Sequence, residues 1–267
     1  MQKISVITPV YNGERYIESC LESVIEQTCP FVEHLIVDGG STDNTIKIVE
    51  HYSKEYLHIK WISEKDKGQS DAMNKGIRLA SGSIISILNV DDFYEPNTLN
   101  FVLKSFKTLL EPSLLVGNCN VLNHDDAIKY VNAPKNLNWK DVLLKKAPHP
   151  FNPSAYFYHS SLHSKIGVYD VDNHYTMDLD FLLKALRIAN VKYVDRVLGN
   201  YRSIEGTKTN SSRNDGSFRK HSRRARINYI SSLPFLLRLQ VIFEGLYSYS
   251  GTKIKGHFRR FFHADYL

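Results

Sequence analysis

Cysteine is scarce in these 267 residues: Cys20, Cys29 and Cys119 form an odd set with no metal-ligand spacing. That excludes a disulfide framework and a structural zinc site, and predicts reduced thiols in a cytosolic setting. Long apolar runs are missing too. No stretch approaches the ~18 uninterrupted apolar residues that a membrane-spanning helix needs. The opening MQKISVITPVYNGE has neither a long apolar core nor a small-residue cleavage site, so no signal peptide is expected. The motifs GxGxxG and GxxxxGK followed by Ser or Thr do not occur, which leaves dinucleotide-binding and P-loop readings without their signatures. There is no repeat and no low-complexity tract. What is present is a globular composition, 42% hydrophobic, 23% charged and 12% aromatic, in a chain long enough to bury a sizeable core.

The net charge of +6 is unevenly spread. Residues 201–267 hold 13 of the 34 Lys and Arg but only four acids (Glu205, Asp215, Glu244 and Asp265), a balance of +9. The first 200 residues therefore carry −3. A basic tail on a mildly acidic body points to an anionic partner, whether a phosphate-bearing ligand, a membrane surface or nucleic acid, or to a merely solvated segment.

The first half alternates short β-rich runs with helical periodicity. Residues 3–8, 33–38, 58–62 and 83–88 read as strands, the first ended by Pro9. Helical patterns fill 14–27, the segment after GGST, and the run Ala72, Met73, Ile77, Ala80. Pro96 is expected in the first turn of a further helix carrying Leu99, Val102, Leu103, Phe106 and Leu110. Near-continuously apolar strands between helices imply a mostly parallel sheet covered on its faces, with ligands at the strands' carboxyl ends. Three polar clusters fall there: Thr8 to Asn12, Asp38 to Ser41, and Asn89 to Asp92. After about residue 112 the alternation weakens. Residues 114–118 are strand-like, 177–189 are helical, and the last 60 or so residues read as an appendage.

Each cluster has a functional and an ordinary reading. Adjacent carboxylates at Asp91 and Asp92 repel one another, which a hard divalent cation bridging to a diphosphate would relieve; the pair equally suits a turn and a helix cap. Asp38 before Gly39-Gly40-Ser41 suits hydrogen bonds from a ribose or base, and also a simple turn. Asp178 and Asp180 near a helix start are stabilised as anions by that terminus, and a carboxylate there in a cleft can take a proton from an attacking hydroxyl. His149 lies between Pro148 and Pro150. The segment from Arg202 to Lys208 has the composition of a loop able to reach phosphates.

In this order the clusters resemble the family 2 glycosyltransferases, which use nucleotide-diphospho-sugars and invert the anomeric centre. The resemblance rests on ITPVYNGERYIESCLESVIEQT (7–28), LIVDGGSTDNT (35–45), SEKDKGQSDAMNKGIRLASG (63–82) and LNVDDFYEPNTL (88–99). HPFNPSAYFYHSSLHSKIGVYD (149–170) and YTMDLDFLLKAL (175–186) resemble its acceptor-side segments. The match covers roughly residues 3–205 and is most specific in the first hundred. It implies the α/β type A glycosyltransferase fold over 1–205, with a nucleotide-sugar half (1–110) and an acceptor half (111–205), followed by a basic, aromatic helical appendage (206–267).

By this resemblance Pro9 and Tyr11 line the nucleobase pocket and Asp38 holds the uracil or ribose. Asp66, Lys67, Gly68, Asp71 and Asn74 run along the nucleotide and sugar. Asp91 and Asp92 match the metal-binding acidic motif for manganese or magnesium, with Asp92 the direct ligand and Asp91 nearer the ribose or sugar. Asp178 aligns with the catalytic base, although Met177 stands where the family usually has Glu. His149 and Asp180 fall on the acceptor side. Arg202 and the 206–209 stretch, with Lys208, match a late segment that closes over the sugar donor. The VDGG form occurs among bacterial polysaccharide-assembly members.

The implied activity is inverting hexosyl or N-acetylhexosaminyl transfer from a UDP-sugar or a related donor to a lipid-linked or saccharide acceptor. Capsule, O-antigen or exopolysaccharide assembly is the expected setting. Residues 233–247, flanked by Arg219, Lys220, Arg223, Arg224 and Arg226 before and Lys253, Lys255, Arg259 and Arg260 after, suit either a helix on an anionic bilayer at the cytoplasmic face or packing on the body or a second copy. The rival readings are a nucleotidyltransferase making a sugar nucleotide, a nucleotide-sugar-binding protein without turnover, and a nucleic-acid binder. The acidic body and buried sheet disfavour the last.

Overall fold

The structure is a computed structural model describing residues 2–204 and 216–250, with side chains in the second segment described to residue 246. Lys208 and the 206–209 stretch lie outside the described residues, as do Lys253, Lys255, Arg259 and Arg260.

Four strands open the chain: β1 (Ile4–Val10), β2 (Val32–Asp38), β3 (Ile59–Ser63) and β4 (Ile84–Ile87). Helices α1 (Ile17–Ile25), α2 (Thr45–Glu55) and α3 (Gln69–Leu79) connect them, in the alternation the sequence predicts. Every residue of β1, β2 and β4 is buried, as apolar strands covered on both faces must be. The four pair in parallel in the order β3-β2-β1-β4.

Two boundaries differ from the sequence expectation. β1 runs through Pro9 to Val10, because β4 pairs only with Ile4–Ile7 and the N–H that proline lacks falls beyond that register. The helix expected to begin at Pro96 is α4 (Thr98–Phe106), with Asn97 in the left-handed region just before it.

The second half completes one mixed sheet. β5 (Phe93–Tyr94), β6 (Ser113–Leu122), β7 (Ile128–Asn132), β8 (Tyr156–His159) and β9 (Asn190–Arg202) extend the order to β3-β2-β1-β4-β8-β6-β9-β5, with β7 beside β6. β8 lies antiparallel to both β4 and β6, so it joins the parallel half to the rest. β6 and β9 are parallel to each other. Short helices α5 (Trp139–Leu143) and α6 (Leu162–Ile166) precede α7 (Met177–Ile188), whose inner face packs on the sheet through Phe181, Leu182 and Leu183.

The chain closes with α8 (Ser217–Ser232) and α9 (Phe235–Ser250). Their inner residues Tyr229, Ile230 and Val241, with Leu233 from the turn between them, belong to the main core. Arg226, 3% exposed, donates to the carbonyls of Val142 and Leu143, and the Tyr229 hydroxyl donates to the Leu183 carbonyl at 2.9 Å. The region expected as an appendage therefore has one face built into the body. All three cysteines are free and buried.

Candidate active site

A cavity of about 700 Å³ opens where β1, β3 and β4 end, and residues from both halves line it. The first half contributes Pro9 near the end of β1 and Tyr11 just after it, Asp66 and Gly68 after β3, and Asn89 and Asp91 after β4. The second half contributes His149, Asn152, His174 and Asp178, with Phe218 from α8. Of the residues singled out from sequence, Pro9, Tyr11, Asp66, Gly68, Asp91, His149 and Asp178 meet in this one space. Tyr11 is 63% exposed, an aromatic face free to receive a flat ligand.

The acidic pair sits at the turn after β4. Asp91 forms part of the cavity wall, while Asp92 lies beneath it and is fully buried. One Asp92 oxygen accepts from Asn152 Nδ2 at 2.8 Å and Asn89 Nδ2 at 2.9 Å; the other accepts from the Arg202 backbone N–H at 3.3 Å. Burial, and then the charge of Asp91, push the Asp92 carboxyl well above the usual range, and burial also raises Asp91. Arg202 tempers the repulsion. Its guanidinium donates to the Asp91 carbonyl at 3.2 Å, pairs with Asp126 at 2.9 Å and stacks 4.4 Å over the Phe93 ring.

Two adjacent carboxylates of raised pKa, one at the cavity wall and one buried beneath it, have the chemistry of a divalent-cation site. The described residues offer no cluster of three metal-binding side chains there, so ligand oxygens would have to complete the coordination.

Asp178 is the second residue of α7, and its carboxyl is pushed up to about 6 by burial. The nearby Tyr156 hydroxyl acts in the opposite direction and lowers it. Tyr156 is itself fully buried in an aromatic cluster, stacked at 6.1 Å on Phe181. A carboxylate with a pKa near 6 is ionised at neutral pH yet basic enough to accept a proton in a transition state.

Other expected residues stand behind the wall. Asp38 is buried and accepts from the N–H groups of Gly40 and Ser41 and from the Ser63 hydroxyl at 2.6 Å, so it closes the loop after β2. Gly39 lets that loop meet Asp66: a Cβ there would lie 2.5 Å from Asp66 Oδ2. Asp66 in turn accepts from the Gly68 N–H at 2.8 Å, and Asp71 accepts from the Lys67 N–H at 3.1 Å. Asn74 is buried and holds Tyr169 through two backbone hydrogen bonds of 2.8 and 2.9 Å. Asp180 is not among the cavity-lining residues and pairs with Lys184 at 2.6 Å.

Sequence reasoning passed over Asn152 and Tyr156, and took Asn89 only as the start of the cluster that ends at Asp92. Asn152 had a legible local signal, since its side chain caps the turn at Pro153–Ala155, but its reach to Asp92, 60 residues away, had none.

With this geometry in view, comparison with known proteins gives the class. The family model described as Glycosyl transferase family 2 matches residues 5–139, and the chain belongs to that family. Chondroitin synthase of Escherichia coli is 38% identical over 104 residues, 39% of this chain and 15% of that one. Across the first curated relatives the alignments span only 15 to 33% of their length. Among solved structures, S. aureus TarS 1-349 in complex with UDP-GlcNAc superposes with a TM-score of 0.67 at 22% identity, covering 97% of this chain and 76% of that one. The mannosyltransferase PcManGT from Pyrobaculum calidifontis, in complex with GDP-Man and Mn2+, gives 0.63 at 17% identity over 94% and 76% of the two chains. At these identities the structural likeness is one of fold. The described residues contain no helix long and apolar enough to cross a membrane.

Proposed function

We propose that the chain transfers a sugar from a nucleoside-diphospho-sugar, with UDP-sugars first in line, to an acceptor hydroxyl with inversion, in the assembly of a bacterial surface polysaccharide at the cytoplasmic side. The observation that carries this reading is the sharing of one cavity by Asp91, from the nucleotide half, and Asp178, from the acceptor half.

Asp178 takes the proton from the acceptor hydroxyl as that oxygen bonds to the anomeric carbon. The bond from that carbon to the phosphate oxygen breaks on the opposite face, and the nucleoside diphosphate leaves with the electron pair. Tyr11 and Pro9 receive the base; Asp66 and Gly68 border the sugar donor. Asp38, Lys67 and Asp71 act from behind by fixing the loops that carry those residues, and Asn74 by holding the segment at Tyr169. His149 faces the acceptor, with Asp180 behind it on the same helix as the base. Arg202, and Lys208 from the 206–209 stretch, answer the charge of the leaving group. Asp91 and Asp92 are the residues that would hold manganese or magnesium. When bound, such a cation offsets charge on the diphosphate.

A thermal-shift panel of nucleoside diphosphates and diphospho-sugars, each with and without manganese, tests the sugar-donor side. The expected result is stabilisation by one nucleotide family that grows with metal and is lost on Asp91→Ala. Absence of stabilisation by every nucleotide would remove the donor site.

A further inference from the structure

The solvent face of α9 is apolar. Phe235, Leu236, Phe243 and Leu246 are 62, 79, 65 and 42% exposed, and the half-buried Leu239 lies on the same arc of the helix. The opposite arc, with Val241 fully buried, is the one that meets the core. A surface helix normally turns polar residues outward, so among the described residues this stripe is an unpartnered face.

The charge around it narrows what can cover it. Between residues 216 and 246 there are six basic residues and a single acid, Glu244, which already pairs with Lys140 at 2.6 Å. Arg219, Lys220 and Arg224 on the adjoining α8 are exposed. A second copy docking through this face would bring two strongly basic helix pairs together. An anionic lipid surface satisfies both features at once: acyl chains take the apolar side chains and headgroups take the cations.

We infer that α8 and α9 form a peripheral docking face for an anionic bilayer. Its position bears on the cavity, because α8 also supplies Phe218 to the cavity wall and stacks His221 on the lining residue Tyr175 at 4.3 Å. Docking there holds the cavity mouth beside the bilayer. Resting on the transfer reaction proposed above, this placement suits an acceptor carried on a lipid; the docking itself does not depend on that reaction.

Vesicle co-sedimentation of the full chain tests the inference without any turnover. Vesicles of phosphatidylcholine alone are compared with vesicles containing about 30% phosphatidylglycerol. The intact chain is expected to sediment with the anionic vesicles at least tenfold more than with the neutral ones, and less so as salt rises. Leu236→Asp with Phe243→Asp, both at exposed positions, is expected to abolish binding with the melting temperature unchanged. Arg219→Glu with Lys220→Glu and Arg224→Glu is expected to remove the preference for anionic lipid.

Three results would overturn the inference. The first is failure of the intact chain to bind either vesicle. The second is a dimer in sedimentation analysis that the α9 substitutions dissociate, which assigns the face to a second copy. The third is a drop in melting temperature on those substitutions without vesicle binding, which assigns the face to the chain's own remaining residues.

Discussion

At the scale of single residues, the proposed reaction rests on Asp178 as its base, and the surroundings of that carboxyl set when it can act. Its carboxyl titrates near 6 because burial disfavours the charged form, and only the ionised form accepts a proton. The turnover rate is therefore expected to fall as pH drops through about 6 and to level off above it. The nearby Tyr156 hydroxyl lowers that value, so Tyr156→Phe is expected to move the inflection upward. A pH–rate profile of wild type and variant under saturating sugar donor checks both statements. An unmoved inflection would separate Tyr156 from the base.

At the scale of elements, the strand ends are tied together by Glu33 on β2. Its side chain is 1% exposed and receives Lys3 Nζ at 2.8 Å, the Ser5 hydroxyl at 2.6 Å and the Ser81 N–H at 2.7 Å. These contacts link β1, β2 and the turn leading into β4. Burial pushes the Glu33 carboxyl up, but the four hydrogen bonds from Lys3, Ser5 and Ser81 outweigh it and bring it down to about 2. A lowered carboxylate stabilises the fold above its unfolded value of 4.5 and loses that contribution as pH falls toward 2. Glu33→Gln is thus expected to be less stable than wild type at neutral pH, by about 1–3 kcal/mol, with the gap closing over that acid window in melting curves. A constant gap would refute the linkage.

The parallel half was legible in the sequence because β1, β2 and β4 are buried on both faces and therefore read as unbroken apolar runs. β9 was not legible. Much of its length is only partly buried, and its ordered position comes from pairing with β6, some 77 residues earlier in the chain, as at Ser113 and Asn190. The same division applies to the site. Asp91 announces itself by local pattern at a strand end, Gly68 rests on resemblance alone, and Asp178 rests on resemblance and helix position. The contacts of Asn152 with Asp92 and of Tyr156 with Asp178 arise only when β8 inserts between β4 and β6.

For the whole molecule, one sheet brings two halves around a single cavity, and the C-terminal helices extend that body toward a basic, apolar face. The strand ends gather the groups proposed to meet a nucleotide sugar, while α7 and the 149–153 loop approach from the other half. On the proposed reaction, binding and chemistry are thereby divided between residues far apart in sequence, so one is expected to be removable without the other. Because the ionised Asp178 is held in a site that opposes its charge, replacing it also relieves a strain on the fold.

The most direct test is the turnover of Asp178→Asn, measured alongside its affinity for the preferred sugar donor and its melting temperature. The predicted result is a loss of about 100- to 10,000-fold in turnover, with affinity for the sugar donor retained and the melting temperature equal to or above that of wild type. Full turnover by this variant would contradict the assignment of Asp178 as the base and, with it, the proposed reaction in this cavity.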